Sequence, residues 1–170
     1  MSDLAIGPLR RTHDRKAFAS GEPSLDRYLA RQASQDVRRL ANGVYVLTAN
    51  AEPEMVLGYY TLAATSVPFA DMPESLARHV PCYPLVSATL LGRLAVAEAA
   101  QERGFGRLLL LDAMHRSRDA ATSIGACVIV VDALNGAARS FYAAHGFARL
   151  SSDRLIYPLR SVTRAFGGDE

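Results

Sequence analysis

Two short constellations hold the residue types from which chemistry could be built. In the first, residues 90–110 read LLGRLAVAEAAQERGFGRLLL, so a strand leads through a polar stretch into Gln101-x-x-Gly104-x-Gly106, and a helix follows at once. The first turn of a helix presents unpaired N–H groups and the positive end of the helix dipole. Glycine has no Cβ, so the backbone can approach an anion closely. A diphosphate could rest there on successive amides, with Arg103 and Arg107 adding charge-assisted bonds. The pattern is neither a Rossmann fingerprint, which needs G-x-G-x-x-G, nor a P-loop, which needs Gly-Lys-Ser/Thr. A plain strand-to-helix turn would use the same glycines, so that alternative stays open on the pattern alone.

The second constellation is Asn135-x-x-Ala138-x-x-Phe141-Tyr142-x-x-x-Gly146-Phe147. On a helix, positions 135, 138, 142 and 145 fall along one side, and Ala138 leaves room for something to pass. Phe141 and Tyr142 point about 100° apart, so one ring can pack into the core while the other lines a cleft. A tyrosine hydroxyl can protonate a leaving group. Two core aromatics would show the same pair.

The elements that must position these residues follow from periodicity and punctuation. Residues 4–9 form a short first strand. SLDRYLARQASQDVRRL (24–40) reads as one amphipathic helix with Ser24 as N-cap. Leu25, Leu29, Ala33, Val37 and Leu40 face the core, Arg27, Arg31 and Arg38 share the opposite face, and Asn42-Gly43 ends the helix. Residues 44–50 and 55–67 form a hairpin across Glu52-Pro53-Glu54. The proline-rich segment 68–84 is a loop insertion with a short helix at 73–79. A strand (86–97), a helix (104–125 with Gly125 as its stop) and a buried strand (127–133) compose a βαβ-like unit. A helix over 135–147 and weak strands near 147–150 and 154–159 complete an α/β (α+β) fold.

Composition narrows the class. The chain has 170 residues, 49% of them apolar, which suits a single domain with a core over about 4–159 and a tail over 160–170. No apolar run reaches the roughly 18 residues of a membrane span, and the start has no apolar signal-peptide segment. Cys82 and Cys127 read as reduced thiols of a cytoplasmic protein, and His13, His79, His115 and His145 lack ligand spacing, so no metal site is expected. The net charge is +2, and Lys16 is the sole lysine. The N-terminal third is the basic end, through Arg10, Arg11, Arg15, Lys16, Arg27, Arg31, Arg38 and Arg39. That distribution admits a polyanionic partner.

Together the two constellations resemble the GCN5-related N-acetyltransferase (GNAT) family over roughly residues 43–158. Gln101-x-x-Gly104-x-Gly106 matches the family's pyrophosphate loop for acetyl-CoA, a loop spanning Gln101, Glu102, Arg103, Gly104, Phe105, Gly106 and Arg107. Leu94, Ala95 and Val96 match the preceding strand, whose backbone in the family bonds the pantetheine arm. Asn135, Ala138 and Phe141 match the helix beside the pantetheine, and Tyr142 matches the tyrosine near the thioester sulfur. The resemblance further implies a mixed, mostly antiparallel sheet whose fourth and fifth strands splay to form the acetyl-CoA cleft. Two positions depart from the pattern: Glu102 stands where many relatives have glycine, and Ala97 replaces a common acidic residue.

In the chemistry so implied, an amine attacks the thioester carbon, amides at Leu94–Val96 polarise the carbonyl, and Tyr142 protonates the sulfur. Glu98 is a candidate base or a surface residue; a water-mediated base, or an amine that arrives neutral, serves equally.

Phe18-x-x-Gly21-x-x-x-Leu25-Asp26-x-Tyr28-Leu29, Gly58-Tyr59-Tyr60-Thr61-Leu62, the 68–84 loop, Leu91-Gly92-Arg93-Leu94-Ala95-Val96 and Val131-Asp132-Ala133 are similar to the toxin branch of the family. That branch acetylates the amino group of aminoacyl-tRNA and is neutralised by a ribbon-helix-helix antitoxin. The similarity implies tRNA contacts at Arg27, Arg31, Arg38 and Arg93, and a homodimer. Arg93 could instead be a structural cation, and the helix arginines a solvated face. The alternatives in function are a GNAT enzyme for a small-molecule or protein amine, and a non-catalytic acyl-CoA-binding module.

Overall fold

A computed structural model describes residues 3–151 and 153–162. Most of the expected C-terminal tail, from 163 on, lies outside the described residues. Seven strands are β1 (Leu4–Pro8), β2 (Gly43–Ala49), β3 (Gly58–Pro68), β4 (Leu85–Val96), β5 (Val128–Asp132), β6 (Ala148–Arg149) and β7 (Arg154–Pro158). The helices are α1 (Pro23–Arg31), α2 (Ala33–Arg38), α3 (Glu74–Ala77), α4 (Phe105–Ile124) and α5 (Gly136–Ala144). The strands join one sheet in the order β1-β2-β3-β4-β5-β7-β6. β4 and β5 run parallel, while β1–β2, β2–β3, β5–β7 and β6–β7 run antiparallel. The mixed, mostly antiparallel α/β fold is the expected one. The β4–β5 register covers four pairs, from Ala88–Val128 to Leu91–Val131.

The chain divides into two compact units. The first holds residues 1–63 and 92–113. Its core gathers Phe18, Tyr28, Leu29, Val46, Tyr59 and Ala95, so α1 and the first halves of the hairpin strands bury one face together. Gly58 is required there, because a Cβ would meet the Ala95 carbonyl at 2.9 Å and the Leu109 side chain at 2.7 Å. The second unit holds 64–91 and 114–170. Val67, Met72, Leu76, Val86, Val128 and Ile156 are among its core residues. β5 is buried along Val128–Val131, which explains its unbroken apolar run. The 68–84 insertion carries α3, shorter than expected, and Leu76 and Val80 anchor it to that core.

The N-terminal helix departs from expectation. It starts at Pro23 with Glu22 as N-cap, so Ser24 lies inside it and caps nothing. Proline at the first helical position sacrifices an N–H that would be unpaired anyway. The helix also breaks at Gln32 into α1 and α2. Tyr28 Oη donates to Asp36 Oδ2 at 2.8 Å. A straight helix would separate residues eight apart by about 12 Å of rise, so the break accompanies that bond. Arg27 and Arg31 therefore stand exposed on α1 and Arg38 exposed on α2, rather than on one continuous helix face.

Leu40 is not a core residue: it is 92% exposed with φ 60°. It occupies the left-handed position of a Schellman ending. Ala41 N–H donates to the Asp36 carbonyl at 2.8 Å and Leu40 N–H to Val37 at 3.1 Å. The reversal thus falls on Leu40, and Asn42-Gly43 is not the cap; Gly43 already opens β2.

Candidate acetyl-transfer site

The cradle belongs to the first unit. After β4 the chain makes a 3₁₀ turn over Glu98–Ala100, then the loop 101–104, then α4. Gly104 takes φ +80°, and no heavy atom lies within 4 Å of where its Cβ would be, so the approach to the helix start is open. Leu108 N–H is the first helix amide to find a carbonyl, that of Gly104 at 3.1 Å. The amides of Phe105, Gly106 and Arg107 precede it and have no partner among the described residues, as a first turn dictates.

The side chains around this turn divide by role. Gln101 is exposed, yet its amide is committed to the protein: its Nε2 donates to the Val96 carbonyl at 3.1 Å and the Ser20 carbonyl at 3.0 Å. It staples the loop to the end of β4 and to the 18–21 segment, so its work is to hold the cradle's shape. Arg103 and Arg107 are exposed, and Arg103 lies over the Phe105 ring at 4.6 Å. Glu102 is exposed with φ 64°, a conformation that explains why glycine suits this position. On β4, Ala95 is buried and Leu94 and Val96 are half-buried.

Glu98 is exposed, and its carboxylate abuts Gly21, where a Cβ would meet Oε1 at 2.7 Å. That contact accounts for Gly21, at φ +93°.

In the second unit, Asn135 caps α5: its Oδ1 accepts from Ala138 N–H at 2.9 Å. The cap was legible as asparagine before a helix, yet only a ligand contact was expected of it. Tyr142 is the buried member of the aromatic pair, 5% exposed, with Phe141 half-buried at a ring distance of 5.3 Å. Phe147 packs on its other side at 5.7 Å. A Schellman ending at Gly146, φ +91°, hydrogen-bonds Phe147 N–H back to the Tyr142 carbonyl at 3.2 Å, fixing the residue's backbone. The phenol has no hydrogen-bond partner among the described residues, and burial pushes its pKa upward. It is therefore held protonated, the state a proton donor needs.

Arg93 is half-buried on β4, with its guanidinium over the Tyr28 ring at 3.6 Å. Tyr28 was read only as part of the toxin-like motif and Asn42 only as part of a helix stop; Asp36 carried no motif, and the bonds that join the three were not anticipated. Size alone does not select the site. A hollow of about 450 Å³ in the first unit is walled by Asp14, Glu52 and Glu54, whose charge would repel a diphosphate. Among the described residues no three His, Cys, Asp or Glu gather as a metal site, and no helix is long and apolar enough to cross a membrane. Both cysteines are free.

A family model for the acetyltransferase (GNAT) domain matches residues 41–149. A tRNA-acetylating toxin of Mycobacterium tuberculosis is 40% identical over 157 residues, 92% of each chain. A probable toxin TacT of Sinorhizobium fredii is 26% identical over 91% of this chain and 90% of its own. Among solved structures, AtaT complexed with acetyl-methionyl-tRNAfMet superposes with a TM-score of 0.86 at 30% identity, covering 97% of this chain and 100% of that one. AtaTR bound with acetyl-CoA gives 0.83 at 30% identity, over 98% and 100%. With the cradle, the capped helix and the buried phenol in place, the chain belongs to the GNAT acetyltransferase family, in the group of the tRNA-acetylating toxins.

Proposed function

We propose that this protein moves an acetyl group from acetyl-CoA to the α-amino group of aminoacyl-tRNA, and so acts as a translation-blocking toxin of a toxin–antitoxin pair. The observation that carries the reading is the open, amide-lined start of α4 at Gly104–Arg107, in a chain alike over nearly its full length to AtaT with its acetylated tRNA. The diphosphate of acetyl-CoA docks on the amides of Phe105, Gly106 and Arg107, with Arg103 and Arg107 at its edge. Leu94–Val96 present the backbone along which the pantetheine runs.

The amine attacks the thioester carbon, a C–N bond forms and the C–S bond breaks. The amine's extra proton leaves to solvent, the Tyr142 hydroxyl supplies a proton to the departing sulfur, and a proton from solvent then restores the phenol. An α-amino group of an aminoacyl ester arrives largely neutral, so no dedicated base is needed. Arg27, Arg31 and Arg38, all exposed, supply phosphate contacts to the tRNA. We read residues 1–170 as one acetyltransferase domain of a cytoplasmic homodimer, silenced by a ribbon-helix-helix antitoxin. The AtaT–AtaR complex bound to DNA supports the existence of such a partner.

The test is mass spectrometry of a charged tRNA pool after incubation with acetyl-CoA, at two salt concentrations. N-acetylated aminoacyl-tRNA whose yield falls with salt is the expected result. Acetylation of only a free amine or a protein lysine would assign a different acceptor, and no transfer to any amine would leave an acyl-CoA-binding module.

A further inference from the structure

Arg93 and Arg118 use their side chains in opposite ways. Arg118 spends its guanidinium on carbonyls, donating to Leu159 at 3.4 Å, to Arg160 at 3.1 Å and to Val162. Such an arginine is a structural staple. Arg93 spends nothing in that way: among the described residues it has no hydrogen-bond or ion-pair acceptor. Its flat face is stacked on Tyr28, with the guanidinium carbon 3.6 Å from the ring centroid, and its charge acts on the Asp36 carboxylate without an ion-pair contact. Stacking fixes the plane and leaves a fork of N–H donors at the edge.

The platform beneath is itself held rigidly. Tyr28 is buried in the first core, packed with Tyr59 and Ala95. Its hydroxyl donates to Asp36 Oδ2 at 2.8 Å. Asn42 Nδ2 reaches both that oxygen, at 3.0 Å, and the phenol oxygen, at 3.2 Å. Gln32 Nε2 donates to the other carboxylate oxygen at 2.9 Å. Bonds from Gln32 and then Tyr28 hold the Asp36 carboxyl below the usual range, so it stays ionised. Burial, and next the bond to Asp36, push the Tyr28 phenol up to about 12, so it stays a donor. A phenol donating to a carboxylate is electron-rich at its face, which strengthens its hold on a cation. The break at Gln32 thus acquires a purpose: it brings Asp36 to the phenol of Tyr28, and the phenol to Arg93. On β4, Arg93 shares a strand face with Ala95, whose side chain packs in the same core as Tyr28.

We propose that Arg93 is a pre-set receptor for a phosphodiester of the aminoacyl-tRNA acceptor end, and that Tyr28 and Asp36 are its positioning residues. This rests on the acceptor reading above. A planar fork with unspent donors suits a tetrahedral anion, and each edge bond to a phosphate is charge-assisted. Because the guanidinium is already immobilised, less side-chain freedom is lost on binding.

The experiment measures steady-state acetylation of one purified charged tRNA across a salt series, with acetyl-CoA affinity by calorimetry as the parallel readout. Arg93→Gln is expected to raise KM for the tRNA about tenfold or more. It should also flatten the dependence of log KM on log salt by about one contact's worth, with acetyl-CoA affinity within about twofold of wild type. Arg93→Lys keeps a cation without the fork, so the salt slope stays while KM rises by several fold. Tyr28→Phe and Asp36→Asn keep the packing and raise KM by about two- to fivefold with kcat unchanged. A wild-type salt slope in Arg93→Gln overturns the phosphate contact, and a wild-type KM in both Tyr28→Phe and Asp36→Asn overturns the positioning device. Should Arg93→Gln fail to fold, an unchanged KM in Arg93→Lys overturns the contact. Wild-type protein that acetylates no aminoacyl-tRNA overturns the acceptor reading itself, an outcome distinct from these.

Discussion

On the proposed reading, the glycine turn at 101–107 and the phenol on α5 solve opposite problems. The first is made of main chain: open space surrounds the position of a Gly104 Cβ, and the amides that follow have no partner among the described residues. The second is a single side chain, 5% exposed and enclosed by rings at 5.3 and 5.7 Å. Holding a charged diphosphate needs donors that cannot titrate and that remain accessible, which backbone amides at a helix start provide. Handing over one proton needs a group whose protonation is set by its surroundings, which burial provides. Binding and turnover should therefore separate cleanly under mutation.

The largest separation is expected at Tyr142. Tyr142→Phe keeps the ring and its packing but removes the proton, so kcat should fall by about 10²- to 10⁴-fold. Acetyl-CoA affinity should stay within about twofold, as calorimetry would report. Since burial raises this phenol's pKa, it remains protonated through the range near pH 10 where a free tyrosine ionises. The wild-type rate should accordingly lose nothing to Tyr142 ionisation up to about pH 10. Equal losses of affinity and turnover in Tyr142→Phe would merge the two regions into one binding surface.

The reverse separation is expected at Gly104. An aspartate there meets no steric block, so its effect comes from φ +80° and from charge. Gly104→Asp should weaken acetyl-CoA about a hundredfold through repulsion of the diphosphate, while its left-handed strain falls on stability. Gly104→Ala carries the strain alone. It should cost about 1 kcal/mol of stability by denaturant titration and leave affinity close to wild type. If Gly104→Asp binds acetyl-CoA normally, the diphosphate sits elsewhere.

The glycine turn before α4 and the aromatic pair on α5 were legible in the sequence because each announces itself locally. Two helix ends show where legibility stops. α5 closes with Gly146 in the left-handed position, and the glycine marks the ending. α2 closes with the same pair of hydrogen bonds, yet the left-handed residue is Leu40, a good helix former whose spacing suggested a core position. Nothing in residues 24–40 signals the break at Gln32 either, because it goes with a bond between side chains eight apart. The arginines were thus found, but not the way Tyr28 and Asp36 hold one of them. Gln101 was found as part of a motif, while its actual partners, the carbonyls of Ser20 and Val96, include one 81 positions away. Local chemistry is written in local residues; how it is braced is written in distant ones.

The smallest effect sharpens the comparison most, because Glu102 carries two costs that can be parted. It is a non-glycine residue at φ 64°, and it places a carboxylate in a loop read as an anion cradle. Glu102→Gln removes the charge and keeps the strain, so acetyl-CoA affinity should rise by about two- to fivefold at low salt, with melting temperature unchanged. Glu102→Gly removes both. Beyond the same gain in affinity, it should add about 0.5–1 kcal/mol of stability, a rise of a few degrees in Tm, because relief of left-handed strain exceeds glycine's entropic cost. Should Glu102→Gln leave affinity unmoved, the carboxylate points away from the diphosphate. Should Glu102→Gly leave Tm unmoved, the loop tolerates the left-handed turn without strain, and glycine's advantage at this position lies only in close approach.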